Sequence, residues 1–253
     1  MTDKIHLKTE QEMIMMKEGG AILAKVKKAA AKKVVAGASA YDVEEFVTDM
    51  IEAQGAESSF KKVPGYSWST CINVNDGVVH GIPRKDVVFK EGDVVSVDLG
   101  VYYKGFHTDT ALTVVVGKMD SQKQFFLEAG KRADNAGIKV VKEGRTVGDI
   151  SEAIEESLKK AGLKPIKSLT GHGVGRELHE APSIPNFVSG SPDERVVLKK
   201  GMVLAVEVMY TAGQGEITMD KDGWTLRTRD GKIAGLFEET VAITGHGPIV
   251  LTA

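Results

Sequence analysis

Residues Val88–Val101, VFKEGDVVSVDLGV, lie over Val197–Tyr210, VLKKGMVLAVEVMY, without a gap. Lys90 meets Lys199, Gly92 meets Gly201, Val97 meets Val206, and Asp98 falls on Glu207. After the glycine both stretches are β-branched and partly alternating, which is strand patterning. Each carries one carboxylate inside an otherwise apolar run, and burying an unpaired carboxylate costs several kcal/mol. The pair therefore predicts a duplicated fold and a shared demand for counter-charge at matched positions.

The duplication extends outward from there. GASAYDVEEFVTDMIEAQG (Gly37–Gly55) overlays GRTVGDISEAIEESLKKAG (Gly144–Gly162), pairing Ser39 with Thr146 and Asp42 with Asp149. Val43, Phe46, Val47, Met50 and Ile51 follow the spacing of one helical face. VVHGIP (Val78–Pro83) overlays ELHEAP (Glu177–Pro182), setting His80 on His179. Thr9 to Glu12 has the form of a capping box and opens a helix of good formers expected to run to about Val35. CINV and ALTVVVG read as further strands, with Asp109 expected at the head of the second. A repeat this long is not a solenoid. It predicts one α+β domain of two similar halves, roughly 1–118 and 119–253, whose sheets join about a pseudo-twofold axis where matched residues converge.

Composition narrows the function. With 33 Lys and Arg against 35 Asp and Glu, the net charge of −2 offers no footprint for nucleic acid or an anionic membrane. MTDKIHLKTEQEM has no apolar signal core, and no window approaches the roughly 18 apolar residues of a membrane span, so a cytoplasmic location is expected. Cys71 is the single cysteine, which excludes an internal disulfide framework and a Cys-based zinc cluster. Any metal must be held by His, Asp and Glu.

Those residue types recur in apolar settings. Besides Asp98 and Glu207, Asp109 stands in HTDTALTVV, and Glu238 and Glu239 interrupt LFEETVAI. A pair of divalent cations is the economical counter-charge, since hard cations take carboxylate oxygens and imidazole nitrogen and two-metal sites share bridging carboxylates. Asp98, Asp109, Glu207 and one of Glu238 or Glu239 supply oxygens. His172 supplies nitrogen, and its flanks Gly171, Gly173 and Gly175 suit close backbone approach. His179 has a counterpart in the other half and His172 has none, so the two histidines of GHGVGRELHEAP are expected to do different work.

The motifs INVNDGVVHGIP, DVVSVDLGVYYKGFHTDT, GHGVGRELHEAP, GMVLAVEVMY and KDGWTLRTRDGKIAGLFEET together resemble the methionine aminopeptidases of the pita-bread metallopeptidase superfamily, in their short bacterial-like type I form. The resemblance implies a pita-bread fold, with a curved antiparallel sheet flanked by helices, and removal of the initiator methionine from new chains. It implies two divalent ions, of manganese, cobalt, iron or zinc, with Asp98 chelating one, Asp109 and Glu238 bridging both, and His172 and Glu207 completing the shell. It implies Glu207 as proton shuttle, and His80 and His179 as hydrogen-bond donors to the substrate. A monomer acting on peptide or nascent-chain N-termini, near the ribosome, is the expected setting.

Departures from the family pattern bear on selectivity. Val208 stands where proline is usual after the glutamate, and Glu239 where histidine is usual. In the methionine pocket Tyr66, Cys71 and Trp224 are retained, but Phe60, Val63 and Leu178 replace the usual Cys, Tyr and aromatic. ELHEAP and Glu239 are similar to Xaa-Pro dipeptidases, which makes proline-directed cleavage the alternative activity. A non-catalytic binding module is the third reading, which the presence of all five ligand positions opposes. Strand alternation forbids Glu238 and Glu239 from facing one site, and family spacing selects Glu238.

Overall fold

The computed structural model describes residues 5–253; the first four residues of the MTDKIHLKTEQEM stretch lie outside the described residues. Helix α1 (Glu10–Ala31) begins at the capping box of Thr9 and Glu12. It stops short of Val35, because Val34 turns into the core and Gly37 takes φ 87° to redirect the chain. Helix α2 (Ala40–Ala53) starts at the reciprocal cap of Ser39 and Asp42, and α4 (Val147–Lys160) starts at that of Thr146 and Asp149. Between them lies α3 (Ser121–Val140), to which sequence patterning assigns no element.

The first half contributes β1 (Glu57–Ser58), β2 (Thr70–Val74), β3 (Gly77–Val79), β4 (Val94–Tyr103) and β5 (Phe106–Val115). Asp109 is therefore inside its strand rather than at its head, because Lys104 and Gly105, both at positive φ, close a two-residue hairpin just before Phe106. The second half contributes β6 (Lys164–Pro165), β7 (Thr170–Gly173), β8 (Glu180–Pro185), β9 (Val203–Thr211), β10 (Ile217–Met219), β11 (Leu226–Thr228), β12 (Ala234–Thr244) and β13 (Gly247–Val250).

The large sheet is antiparallel, in the order β1-β4-β5-β12-β9-β7-β8, with β2 on β4, β13 on β12 and β6 on β9. Strands β10, β11 and β3 form a small second sheet. The repeat is written into the hydrogen bonds. Ser39 bridges Val88 as Thr146 bridges Val197. Gly37 N–H donates to Phe89 O as Gly144 N–H donates to Leu198 O. Hairpin β4–β5 thus answers to pair β9–β12, and the pseudo-twofold axis runs between β5 and β12.

Helix α1 packs over β4 and β5, and α3 over β9 and β12. Their apolar faces, Leu23 and Val26 in one and Ala133 and Ile138 in the other, close separate core clusters against Val95, Val97 and Leu99 and against Val206 and Val208. Truncating a fully buried Leu23 to alanine is worth about 2 to 5 kcal/mol. Gly130 of α3 leaves room for the buried Tyr210 ring, whose hydroxyl donates to Phe126 O at 3.0 Å. With the helices on this face, the other face of β4, β5, β12 and β9 is left for the site.

The halves do not match in the register that the most direct overlay of their last strands suggests. Overlaying DTALTV on ETVAIT sets Asp109 against Glu239, but Asp98 pairs with Ala111 and Glu207 pairs with Glu238, so the positional mate of Glu238 is Ala111. The slip arises in the connections: β4 and β5 are joined by Lys104 and Gly105 alone, whereas β9 reaches β12 through the β10–β11 hairpin.

Candidate metal centre and substrate pocket

Register places the acids on one row. Asp98 pairs with Ala111, Ala111 with Glu238, and Glu238 with Glu207, crossing β4, β5, β12 and β9 in turn. Asp109 is two residues from Ala111, and His172 pairs with Ala205, two residues from Glu207, so strand periodicity turns both to the same face. Atoms of Asp109, His172 and Glu238 lie within 4.8 Å of one another, and all three residues are buried. Asp98 and Glu207 flank that cluster with their outer edges open to the cavity.

Gly171 is required for this approach: a Cβ there would meet Ala205 O at 2.6 Å. The His172 Nδ1 lies 2.8 Å from the Gly173 carbonyl, which can only accept, so Nδ1 carries the proton and Nε2 presents its lone pair. Burial, and then the neighbouring His179, lower the His172 pKa to about 3. Its 3.6 Å approach to Glu207 is therefore a neutral imidazole lone pair beside a carboxyl group, not an ion pair.

The carboxylates are in a complementary predicament. Burial raises Asp109 to about 7, against the opposing hydrogen bond from Thr110 N–H. Burial also raises Asp98, Glu207 and Glu238 well above the usual carboxylate range, and Asp109 repels each of them. Asp98 Oδ1 and Glu238 Oε1 are buried without a hydrogen-bond partner. Four converging acids, two orphaned oxygens and one imidazole lone pair fit divalent cations. An oxygen-rich set with a single nitrogen suits manganese, iron, cobalt or zinc.

A cavity of about 160 Å³ opens from these residues. Its far wall is apolar: Phe60, Tyr66, Cys71 and Leu178 form a buried cluster against which Val63 and Trp224 pack. The Tyr66 and Trp224 rings meet edge to face at 5.1 Å, and Tyr66 Oη donates to Thr70 O at 2.8 Å. Asp222 sets Trp224 by accepting from its N–H and from that of Thr225, at 2.9 and 2.8 Å. His80 and His179 stand exposed at the rim. Protein walls desolvate both imidazoles and lower their pKa, and in His80 the nearby His179 adds to the effect. His80 takes φ 59°, a left-handed conformation costly for a side chain of this size. The His179 ring packs edge to face on His172 at 4.5 Å.

The model of metallopeptidase family M24 matches residues 14–245. The chain belongs to metallopeptidase family M24. This M24 chain is 42% identical over 254 residues to the methionine aminopeptidase of Aquifex aeolicus, covering 98% of each chain. The solved methionine aminopeptidase of Thermotoga maritima superposes with a TM-score of 0.94 at 41% identity, covering 98% of this chain and 99% of that one. A prolidase from Pyrococcus furiosus superposes at 0.76 with 26% identity, covering 98% of this chain but 65% of the other. The fold is the pita-bread arrangement that the resemblance implied, with the two similar halves expected from the repeat.

Every site residue named from the sequence of this M24 metallopeptidase lines one cavity: the five metal-ligand candidates, the two rim histidines, and Phe60, Val63, Tyr66, Cys71, Leu178 and Trp224. Val79 lines it too and was missed, since a buried valine in a strand carries no chemical label. Glu239 faces the helices, where Lys27 Nζ donates to it at 2.5 Å. Among the described residues no helix is long and apolar enough to cross a membrane.

Proposed function

We propose that the protein is a metal-dependent aminopeptidase that removes N-terminal methionine from newly made chains. The observation that carries this reading is the single acid row Asp98, Glu238 and Glu207, closed by Asp109 and His172, at the base of a pocket walled by apolar residues. Asp98, Asp109, His172, Glu207 and Glu238 would hold two divalent ions. Such ions, when bound, polarise the scissile carbonyl and make water nucleophilic near neutral pH.

The chain's own groups supply the remaining steps. Phe60, Val63, Tyr66, Cys71, Leu178 and Trp224 take the methionine side chain and exclude water around it. The rim imidazoles, His80 and His179, donate hydrogen bonds to the substrate backbone and to charge that develops on the carbonyl oxygen. Glu207, at the cavity edge of the row, accepts the proton of the attacking water and passes it to the leaving amine.

The chain 1–253 would act as one catalytic domain of two similar halves, roughly 1–118 and 119–253. It would work as a monomer in the cytoplasm on nascent N-termini, close to the ribosome. A metal-reconstituted assay of Met-Ala-Ser against Ala-Pro and Met-Pro peptides tests the activity. Cleavage of Met-Ala-Ser is expected. Cleavage confined to the Xaa-Pro bonds favours a proline-directed enzyme, and absence of any bound or activating metal favours a binding module.

A further inference from the structure

The two central strands of the sheet are not joined as the others are. The ladder of β4 and β5 runs unbroken from Val94 opposite Val115 to Tyr103 opposite Phe106, and that of β9 and β12 from Thr211 opposite Ala234 to Val203 opposite Ala242. Between β5 and β12, at the pseudo-twofold axis, backbone pairing is confined to Glu238 and Ala111. Threonine hydroxyls take the place of the missing rungs. Thr240 Oγ1 accepts from Asp109 N–H at 2.9 Å and donates to Asp109 O at 2.7 Å. Thr113 Oγ1 accepts from Leu236 N–H at 2.9 Å and donates to Leu236 O at 2.7 Å.

The two clamps are mates under the pseudo-twofold axis, and they differ in what they grip. Thr113 holds a leucine. Thr240 holds Asp109, fixing both peptide groups that flank its Cα and hence the direction of its carboxylate. Asp109 is held in a crowded place: its carboxylate lies within 4.8 Å of ligand atoms of His172 and Glu238, in a cavity that Asp98 and Glu207 also line. Thr110 completes the seam by donating to Glu238 O at 2.7 Å while accepting from Lys27 Nζ at 3.0 Å.

Resting on the metal-dependent reading above, we propose that Thr240 is a positioning residue for metal binding: its hydroxyl, clamped on the Asp109 backbone across the β5–β12 seam, sets the carboxylate geometry that captures the ions. Asp109 would make the direct contact. Thr113 is the same device gripping a residue that binds no metal, so the duplication supplies its own control.

The test is manganese titration of metal-stripped protein, reading free ion by electron paramagnetic resonance, with the melting temperature and amide exchange at Asp109 followed in the metal-free state. Valine replaces the hydroxyl by a methyl of similar shape. Thr240→Val is expected to weaken manganese binding by about tenfold or more, as loss of groups that orient ligands does, and to speed Asp109 amide exchange. Thr240→Ser is expected to restore both. Thr113→Val is expected to lower the melting temperature at least as much, because Ser96 Oγ, 2.9 Å from the Thr113 hydroxyl, also loses its partner, yet to change affinity by less than about twofold. Equal weakening by both valine variants, or wild-type affinity in Thr240→Val, overturns the proposal while leaving the aminopeptidase reading intact. Failure of the wild type to take up manganese, cobalt, iron or zinc overturns both.

Discussion

Glu238 and Glu239 are consecutive in β12 and serve opposite faces of one sheet. Glu238 pairs in register with Glu207 and meets Asp109 and His172, whereas Glu239 accepts from Lys27 Nζ at 2.5 Å and from the Thr252 hydroxyl. The acid after the row thus becomes an anchor for helix α1. Asp134 of α3 lies near the same pair, and its pKa is raised first by burial and then by Glu239.

Glu238→Gln is therefore expected to abolish bound metal and activity, while Glu239→Gln keeps metal content near that of the wild type. Inductively coupled plasma analysis of purified variants reads the difference. The opposite pattern would place Glu239 in the metal shell. Lys27→Met leaves Glu239 without its cation and is expected to cost about 3 kcal/mol of stability in urea unfolding.

The rim histidines line the cavity without belonging to the tight cluster of Asp109, His172 and Glu238. His80→Ala and His179→Ala are each expected to lower kcat about a hundredfold, as loss of a donor to developing charge does, with unchanged metal content. Loss of metal in His179→Ala would show that this imidazole is a ligand.

What was legible in the sequence was whatever strand and helix periodicity expose. Asp98 and Glu207 stood out because apolar strands do not bury lone carboxylates, and Ser39–Asp42 and Thr146–Asp149 because reciprocal caps have a fixed spacing. Helix α3 escaped because it departs from ordinary helix composition where it packs: Gly130 makes room for Tyr210, Gly137 lies against Ile154, and Asp134 is buried. The β5–β12 register escaped because hydroxyls rather than a ladder define it, and because the β10–β11 hairpin lengthens one connection.

The helix caps make stability depend on pH in a defined direction. Backbone and side-chain hydrogen bonds with Ser39 hold the Asp42 pKa below its usual value. A depressed carboxyl pKa means that the folded state prefers the ionised form. Its contribution is then present above the unfolded value of about 3.9 and is lost as pH falls through the lower folded value. Asp42→Asn is expected to melt below the wild type at pH 7, with the gap closing in acid below that window. A gap independent of pH would show that the cap acts without its charge.

The apolar wall sets the last expectation. Leu178 presents a branched aliphatic group, Phe60 meets Tyr66 edge-on at 6.4 Å, and Val63 packs on their cluster beside Cys71. Phe60, Val63 and Leu178 carry no polar side-chain atom and the Tyr66 hydroxyl is already donated to Thr70 O, so only the Trp224 indole N–H and the Cys71 thiol are left to tell a thioether, itself a weak acceptor, from a hydrocarbon by hydrogen bonding. Discrimination between methionine and leucine then rests chiefly on shape, and one methylene in an apolar pocket is worth only about 1 to 3 kcal/mol. A Met-over-Leu preference in kcat/KM of roughly 10- to 200-fold is expected from matched tripeptides. A preference as steep as about 10⁴ would show that a polar contact to the sulfur, from the Trp224 indole N–H or the Cys71 thiol, adds to shape. Replacing Phe60 with alanine enlarges the pocket and is expected to raise KM for the methionyl peptide more than it lowers kcat, since it removes binding shared by ground and transition states.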